Sequence, residues 1–551
     1  MKFCFKNNNM GSESYEVLCH TAVRVLSVRG SELLDAPDRD AFTVTLRKDA
    51  SFKDDRFTVT PTDGGVELIG ANDLALHAAF GRFILSSGFD GRGGFSPVDK
   101  AIDFTPRSPL RGMYFATHFY NFYHVAPIEK VYEVIEDLAL RGCNNLLVWF
   151  DMHHFNSMQD EGAQVLVKRL RAILGYANKI GIHGSLTMLS NEAFASSPVE
   201  LRAEWQAIGG YHDKPDDHYH LEICPSKKGG IEEILRERRE MLSYFCDLDI
   251  AYICYWPYDQ GGCTCMQCQP WGSNGFIKLL PHFQELVAEM MPNAKLILST
   301  WYFDKFIDGE WDSFYPKLTD GTIRDVPYIM SFFFNGEMPG CVAKGGVPAG
   351  YRFIDFPEIS MYSCSPWGGF GASVLSRFLD RTNKKTAGLY SGGFPYSEGI
   401  FEDINKFIEL TWYSGLYTDA ADAVRAYVRS EFCVEGEALD ELTDAIIRTE
   451  TAIARGKVYG GESNRYEIAD TSDVEYVYRV LTKYNAKLPE AIRSSYRFRL
   501  FYLRAVIDRE LVSCDGYPLR SEICQAAMRE VNEIYFATDA TKRWVKAPVG
   551  V

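Results

Sequence analysis

The amino-acid sequence predicts a (β/α)8 barrel that is preceded by a small α+β domain and followed by a helical domain. Between Leu110 and about residue 400, short apolar runs typical of buried parallel strands alternate with amphipathic helical segments. Eight such units in about 290 residues agree with a barrel of this type in number and length. Polar and aromatic residues follow the apolar runs, and the loops after the strands are where such barrels build their catalytic face.

The segment from Ser108 to Phe155 shows how a strand, a helix and the next strand are recognised. Its apolar residues Val131, Val134 and Ile135 recur at helical spacing, whereas residues 145–150 form a short continuous apolar run. The same pattern continues along the chain. The predicted barrel strands lie near residues 111–117, 145–150, 183–189, 249–256, 295–301, 327–334, 352–356 and 387–393.

The segments before and after the barrel have different patterns. Residues 1–105 contain alternating apolar and polar residues at 42–48 and 56–70, which predicts a small antiparallel α+β domain. The barrel is assigned to residues 106–402. Residues 403–551 are helical in pattern and are expected to form a C-terminal domain that could also provide the interface of a homo-oligomer.

The composition limits the possible partners. A chain of 551 residues is expected to form roughly two to four domains. With 74 acidic and 58 basic residues the net charge is −16, which argues against nucleic acid or an anionic membrane as a partner, because both require a positive surface. The N-terminus lacks the apolar run of a signal peptide, and no stretch reaches the roughly 18 apolar residues of a membrane span. We therefore expect a cytoplasmic protein with a neutral or small polar substrate.

Several carboxylates occur at the predicted strand ends. Hydrolysis of a glycosidic bond requires one carboxylic acid to protonate the leaving oxygen and a second group to attack or to organise the attacker. Asp259 is the first catalytic candidate, since it lies between aromatic residues and a glycine turn, where partial burial can raise the pKa of an acid. Glu398, after the eighth strand, is the second, and Asp151, Glu337 and Glu358 are candidates for substrate binding. Each of them could instead stabilise a turn or cap a helix.

Aromatic residues are also concentrated at the predicted strand ends. The apolar C–H faces of sugar rings stack on indole and phenol rings, so this concentration favours a carbohydrate cleft, although a large core would contain aromatic residues too. Trp367, in the glycine-rich segment SPWGGFG, is the best candidate for a platform beneath a sugar. The further candidates for substrate binding in these loops are His154, Trp301, Tyr302, Asn335 and Tyr396.

Three closely spaced cysteines, Cys263, Cys265 and Cys268, form a Cys-x-Cys-x-x-Cys motif. Tetrahedral zinc requires four ligands, and Cys224 in the preceding loop could supply the fourth. We expect a structural zinc ion that fixes the loop carrying Asp259, and the alternative is a set of free or mildly redox-active thiols. A catalytic zinc is not expected, because a full set of thiolates leaves no open coordination position. No other cofactor is expected to take part in catalysis.

The order of these elements resembles that of the β-N-acetylhexosaminidases of glycoside hydrolase family 20 and their distant barrel relatives of the α-glucuronidase and β-N-acetylgalactosaminidase types. In family 20 a small α+β domain precedes the barrel, and the first barrel strand carries an Arg-Gly pair similar to Arg111-Gly112. His118 and Phe119 after that strand are also similar to the family pattern. The resemblance implies that Arg111 and His118 bind hydroxyls of the terminal sugar.

The sequence departs from family 20 at the end of the fourth strand, where the family has an adjacent Asp-Glu pair. One residue of that pair orients the acetamido group of the substrate, and the other is the general acid. Tyr258, Asp259 and Gln260 stand at this place. Either Asp259 is the acid and another group orients the acetamide, or Asp259 orients it and the proton comes from elsewhere.

The resemblance implies an exo-acting glycosidase that releases a terminal β-linked N-acetylhexosamine from an oligosaccharide or glycoconjugate, with N-acetylgalactosamine as one candidate. In the implied substrate-assisted mechanism, the 2-acetamido oxygen attacks the anomeric carbon while an enzyme acid protonates the leaving group. Two alternatives stay open. One is an inverting hydrolase similar to the α-glucuronidases, and the other is a carbohydrate-binding protein on a non-catalytic barrel.

Overall fold

A computed structural model describes residues 1–36, 38–118, 120–205, 221–259, 261–360, 372–451, 457–458, 465–466 and 471–536. The described residues of the N-terminal region form an α+β unit with one six-stranded mixed sheet, one two-stranded antiparallel sheet and two helices. Its elements are β1 (Lys2–Asn7), α1 (Ser12–Val28), β2 (Glu32–Leu34), β3 (Phe42–Lys48), β4 (Phe57–Thr62), β5 (Gly65–Gly70), α2 (Asp73–Ser86), β6 (Gly88–Phe89), β7 (Phe95–Ser96) and β8 (Ile102–Phe104).

The large N-terminal sheet has the strand order β2-β1-β3-β5-β4-β8. The expectation of an antiparallel sheet was wrong, because β1 pairs in parallel with β2 and β3, and β3 pairs in parallel with β5. Only the pairs of β4 with β5 and β8 are antiparallel among the described strands of this sheet. Helix α1 follows β1 directly and provides the crossover connection that parallel pairing requires.

Eight parallel strands close into a barrel within the described part of the chain, as the sequence predicted. Each strand pairs with its sequence neighbours, and the eighth returns to the first, so the ring has no free edge. The barrel strands are β9 (Leu110–Phe115), β10 (Asn145–Trp149), β11 (His183–Leu189), β12 (Ile250–Trp256), β13 (Lys295–Ser299), β14 (Tyr328–Ser331), β15 (Arg352–Asp355) and β16 (Tyr390–Gly393). A short strand, β17 (Tyr396–Ser397), pairs with the end of β9.

Helices surround the barrel, and α11 completes the ring by packing against β9 and β16. They are α3 (Phe122–Val125), α4 (Ile128–Leu140), α5 (Glu161–Ile180), α6 (Gly230–Ser243), α7 (Phe276–Met290), α8 (Glu310–Phe314), α9 (Gly340–Gly345), α10 (Ser376–Lys385) and α11 (Asp403–Ser414).

The C-terminal region is helical, as expected, and contacts the barrel and the N-terminal unit. Its helices are α12 (Ala420–Phe432), α13 (Gly436–Arg448), α14 (Thr471–Lys487), α15 (Glu490–Arg493), α16 (Tyr496–Ser513) and α17 (Glu522–Phe536), and the two-residue strands β18 (Lys457–Val458) and β19 (Arg465–Tyr466) form an antiparallel pair. The expected subunit interface stays a prediction. None of the helices in the described ranges is long and apolar enough to cross a membrane.

Alternate residues of each barrel strand point inward or outward, since side chains of a strand alternate between its two faces. On β9, Leu110 and Tyr114 belong to the apolar cluster inside the barrel, whereas Met113 and Phe115 belong to the core between the strands and the surrounding helices. The carboxyl ends of all eight strands meet at one rim. Residues that follow the strands are therefore brought together although they are far apart in the sequence.

A buried ion network between helices α4 and α11 joins the three regions. Asp403 accepts two hydrogen bonds of 2.9 Å from Arg141 and one of 2.8 Å from Arg497. Arg497 also pairs with Asp137 at 2.5 Å, and Arg24 of the N-terminal unit pairs with Asp137 at 2.7 Å. Although burial opposes ionisation of Asp403, the two arginines hold its pKa well below the usual range. The N-terminal unit, the barrel and the C-terminal helices thus share one set of buried charges.

Replacing Asp403 with Asn should destabilise the whole chain, because it leaves Arg141 and Arg497 buried beside a neutral group. We expect the free energy of unfolding to fall by about 3 kcal/mol or more, as is typical when a buried ion pair loses one partner. Urea and thermal unfolding measure the change. The matched control is Asp247→Asn, which breaks the exposed pair with Arg171 and should cost less than about 1 kcal/mol. Equal effects of the two substitutions would contradict the assigned role of the network.

Candidate active site

An aromatic floor lies inside the barrel at its carboxyl rim. The rings of Tyr114 and Tyr396 stack with centroids 5.3 Å apart and planes 18° apart. Phe356 meets Tyr114 edge-on at 5.6 Å and Trp256 edge-on at 4.9 Å. Trp301 continues the surface at 5.6 Å from Phe356. Five different strand ends therefore build one apolar surface of the kind that packs against a sugar ring.

Three carboxylates follow the strands around this floor. Asp259 lies exposed on the turn after β12, with a positive φ of 79° that few residues other than glycine adopt. Glu358 follows β15 and forms a parallel bridge with Tyr396. Glu398 follows β17, and its Oε1 accepts a long hydrogen bond of 3.4 Å from the Tyr396 hydroxyl. The predicted catalytic carboxylates Asp259 and Glu398 thus occur at the same rim as Glu358.

The carboxyl groups of Glu358 and Glu398 have raised pKa values. Burial, with the negative charge of Asp259 as a second cause, raises the pKa of Glu358 to about 7, and Lys305 opposes this shift. Burial raises the pKa of Glu398 to about 8, and the charges of Glu402 and Glu358 add to the effect. Each of these two groups can therefore hold a proton near neutral pH, as a general acid must.

Two histidine–carboxylate pairs lie after β10. His154 Nδ1 is 2.5 Å from Asp151 Oδ2, and His153 Nδ1 is 2.6 Å from Glu192 Oε1. Burial alone would raise the pKa of Asp151, but the hydrogen bond of His154 and the nearby imidazoles lower it. Asp151 is therefore ionised, in contrast to Glu358 and Glu398.

His118, predicted to bind sugar hydroxyls, lies beside the same floor. Its ring is 5.3 Å from that of Trp149 and 6.3 Å from that of Tyr396. Burial lowers the pKa of His118 to about 3, so the imidazole is neutral. Trp149 Nε1, Trp301 Nε1 and Asp151 Oδ1 are buried and have no hydrogen-bond partner within the described residues. Such groups are normally satisfied in a folded protein, and a hydroxyl-rich ligand offers matching partners.

Tyr302 and Lys305 form the outer wall next to Trp301. The rings of Trp301 and Tyr302 stack with centroids 4.6 Å apart, and Lys305 Nζ lies 3.6 Å from the centre of the Tyr302 ring. The exposed ammonium group is the cation whose charge reaches Glu358. The sequence had pointed to Trp301 and Tyr302 but not to Lys305, because only the fold brings the β13 loop beside β15.

The expectation that Arg111 binds sugar does not fit its position. Arg111 points outward at the amino end of β9, where it donates to Gly142 O at 2.8 Å, to Ser108 O at 2.7 Å and to Asp55 Oδ2 at 2.6 Å. Strand alternation explains the difference, because Leu110 and Tyr114 occupy the inward positions. Arg111 joins the barrel to the N-terminal unit, and Tyr114 is the residue of this strand that reaches the floor.

Two further residues predicted to bind substrate, Asn335 and Glu337, lie in the loop after β14. Asn335 accepts a hydrogen bond of 3.0 Å from Lys385 through its carbonyl oxygen, and a weaker one of 3.4 Å from Arg381 through its side chain, so it is tied to helix α10. Glu337 is exposed on the same loop. Trp367 lies outside the described residues.

Hydrogen bonds of the residues before and after Asp259 hold the turn that carries it. Tyr258 is fully buried and donates a 2.6 Å hydrogen bond to Glu310, which also accepts from Gly272 N at 2.7 Å. Asn191 Oδ1 accepts from Gly262 N at 2.8 Å on the other side of the turn. These contacts position Asp259 from both directions. The sequence signal that could have revealed them is the polar segment after the third strand, at residues 190–192.

The four predicted zinc ligands lie together beside this turn. The Sγ atoms of Cys224, Cys263, Cys265 and Cys268 are all within 4.8 Å of one another. Among the described residues they form the one group of three or more potential ligands close enough to hold a metal ion.

No protein-family model and no curated protein matches the sequence. A family GH115 4-O-methyl-α-glucuronidase with specificity for decorated arabinogalactans has a TM-score of 0.59 at 10% identity, covering 98% of this chain and 77% of that chain. A family 89 glycoside hydrolase from Clostridium perfringens has a TM-score of 0.58 at 12% identity, covering 95% of this chain and 64% of that chain.

A β-hexosaminidase from Streptomyces plicatus has a TM-score of 0.52 at 11% identity, covering 78% of this chain and 90% of that chain. The chain has the fold of these barrel glycoside hydrolases. The predicted resemblance is confirmed at this level, and identities of this size show the fold alone. The chain spans just under two thirds of the length of the family 89 enzyme.

Glu398→Gln should stabilise the protein at alkaline pH. The folded state holds the Glu398 proton up to a pKa of about 8, whereas the ordinary value is 4.5. Folding therefore binds a proton between these values, and stability falls as pH rises from about 5 to 8. Glutamine removes this loss. Thermal unfolding should show the variant gaining several degrees over the wild type at pH 8 and little at pH 5. Glu337→Gln, at an exposed site of the same rim, is the control, and an equal gain in both variants would refute the pKa assignment.

Proposed function

We propose that this chain is an exo-acting glycoside hydrolase that releases a terminal β-linked N-acetylhexosamine. The observation that carries the proposal is the grouping of Asp259, Glu358 and Glu398 around the stacked rings of Tyr114 and Tyr396, with two of the three carboxyl groups protonated near neutral pH. An apolar ring platform beside a proton donor and an ionised carboxylate meets the requirements of acid-catalysed glycoside hydrolysis.

We assign proton donation to Glu358. Its pKa of about 7 suits a general acid at neutral pH, and the charge of Asp259 helps to raise it. Asp259 then acts as the ionised partner that orients the 2-acetamido group, whose oxygen attacks the anomeric carbon. Of the two roles that the sequence left open for Asp259, the raised pKa of Glu358 favours this one. The glycosidic oxygen receives the Glu358 proton as its bond to the anomeric carbon breaks.

The other polar groups are assigned to hydroxyl binding. Glu398, with its pKa of about 8, is mostly protonated at neutral pH and can donate a hydrogen bond as well as accept one. His118, with a neutral imidazole, follows β9, and Asp151 follows the neighbouring strand β10. The β-hexosaminidase from Streptomyces plicatus was solved with the product GlcNAc, and the family 89 enzyme from Clostridium perfringens with GlcNAc-α-1,4-galactose. These ligands support an acetamido sugar as the substrate proposed here.

The roles of Asp259 and Glu358 can be separated by the leaving group of the substrate. With an N-acetylhexosaminide oligosaccharide, Glu358→Gln should lower kcat by about 100-fold or more, because a general acid typically contributes about 10²–10⁴. Asp259→Asn should lower kcat by a similar factor, because the attacking 2-acetamido oxygen loses the group that orients it. With a 2,4-dinitrophenyl glycoside, which needs little protonation, Glu358→Gln should recover most of the rate and Asp259→Asn should not. The wild-type kcat/KM should fall as pH rises above about 7, where Glu358 loses its proton.

Asp247→Asn, in the exposed pair with Arg171 before β12, is the control for these kinetics and should retain wild-type rates. Circular dichroism and thermal unfolding of each variant separate lost chemistry from lost structure. Near-normal rates of Asp259→Asn on both substrates would refute its role. If Glu358→Gln were equally slow on both substrates, Glu358 would not be the proton donor.

An inverting hydrolase of the α-glucuronidase type is the second candidate, and Lys305 is the observation that favours it. An exposed ammonium group above Tyr302 and within electrostatic reach of Glu358 could pair with a uronate carboxylate. The GH115 α-glucuronidase also shares its fold with 98% of this chain.

A two-substrate screen decides between the two candidates. We expect turnover of aryl N-acetyl-β-hexosaminides, with the glucosamine and galactosamine forms compared, and none of a glucuronide-capped xylo-oligosaccharide. Lys305→Ala should change the KM for the acetamido substrate less than twofold. Turnover of the glucuronide, together with a tenfold or larger rise in its KM in Lys305→Ala, would establish the second candidate instead. Oligosaccharide binding without turnover of either substrate would indicate a non-catalytic barrel.

A further inference from the structure

Four cysteines are assembled from two loops that are distant in the sequence. Cys224 lies between β11 and α6, and Cys263, Cys265 and Cys268 lie between β12 and α7. Three of the four side chains are buried, and Cys265 is partly exposed. We propose that these residues bind one zinc ion that fastens the two loops together and thereby holds the turn carrying Asp259.

The sulfur positions have the dimensions of a tetrahedral zinc site. The Sγ atom of Cys224 is 3.8 Å from that of Cys265 and 3.9 Å from that of Cys268. Zinc–sulfur bonds of about 2.3 Å in a tetrahedron place the sulfurs about 3.8 Å apart. A disulfide would bring two of them to about 2.05 Å. The arrangement therefore matches shared coordination better than sulfur–sulfur bonding.

The surroundings of the sulfurs suit thiolate ligands. Ser226 Oγ lies 3.1 Å from Cys268 Sγ and can donate a hydrogen bond to a thiolate, as groups behind metal ligands commonly do. Cys265 O accepts from Cys268 N at 2.9 Å and from Gln269 N at 3.0 Å, so a tight turn presents both sulfurs to one side. A Cβ at Gly230 would lie 2.1 Å from Cys224 O, so the chain can pass Cys224 this closely only with glycine.

Four sulfur ligands define the class and role of the metal. Thiolates are soft ligands that select zinc over magnesium or calcium, and four of them fill the coordination sphere. The ion is thus structural and does not activate water. Asp259 lies four residues before Cys263, and Asn191 links the same two loops through Ile223 O at 3.0 Å and Gly262 O at 2.8 Å. Zinc adds a second link between these loops, through Cys263 directly after Gly262.

Metal analysis of the full-length protein tests the site directly and does not depend on the proposed activity. Protein produced with added zinc and kept reduced should contain one zinc per chain by inductively coupled plasma mass spectrometry. Reconstitution with cobalt(II) should give the intense visible absorption of tetrahedral thiolate coordination. Cys265→Ser should lower the zinc content at least fivefold after dialysis against a chelator. Cys246→Ser, at an exposed cysteine outside the cluster, is the matched control and should keep one zinc.

Removal of zinc should also have a local effect. Stripping the wild-type protein with a strong chelator should lower Tm by several degrees and increase amide hydrogen exchange in residues 257–268, and added zinc should reverse both changes. The proposal would be overturned by wild-type protein that binds no metal and in which these four cysteines are free thiols. Disulfides among these cysteines, detected by mass spectrometry, would overturn it as well. Because these wild-type measurements need no variant, a folding defect in Cys265→Ser would leave the test intact.

Discussion

Closure of the eight parallel strands is the constraint on which the rest of the molecule depends. Closure places every strand's carboxyl end at one rim and divides each strand into inward and outward residues. Tyr114 consequently reaches the aromatic floor, while Arg111, three residues earlier, faces the N-terminal unit and pairs with Asp55. The same geometry gathers Asp259, Glu358 and Glu398 from three separate loops. Neither the candidate site nor its supports exist without the closed ring.

The electrostatics of the rim follow from burial combined with like charges. Glu358 is close enough to Asp259, and Glu398 to Glu358 and Glu402, for each neighbour to raise the pKa of the next. Such crowding destabilises the ionised folded protein, as carboxylates arranged for catalysis commonly do. Fixed supports around the loops offset this cost. Glu402 Oε1, for example, accepts three hydrogen bonds of 2.7 Å, from Ser397 Oγ and from the backbone of Glu398 and Gly399.

The C-terminal helices support the site as well as the ion network between α4 and α11. At the rim, the hydroxyl of Tyr535 in α17 donates to Glu398 O at 2.8 Å and accepts from Phe122 N at 3.1 Å. Between α4 and α11, Arg497 of the C-terminal region pairs with both Asp137 and Asp403. The helical region therefore fixes the Glu398 loop directly and joins the network that holds the domains together.

The sequence by itself determined the barrel, its eight strands, the helical C-terminal region and the identity of most rim residues, because strand periodicity and the polar residues after each strand are local signals. The tertiary structure alone decided which predicted residues meet. Outward orientation removed Arg111 from the rim, the crossover through α1 made the N-terminal sheet mixed, and burial beside Asp259 set the pKa of Glu358. These properties arise from neighbours distant along the chain, and a pattern in one segment does not contain them. The cysteines show both cases: spacing identified three of them, and folding brought Cys224 within 4.8 Å of the others.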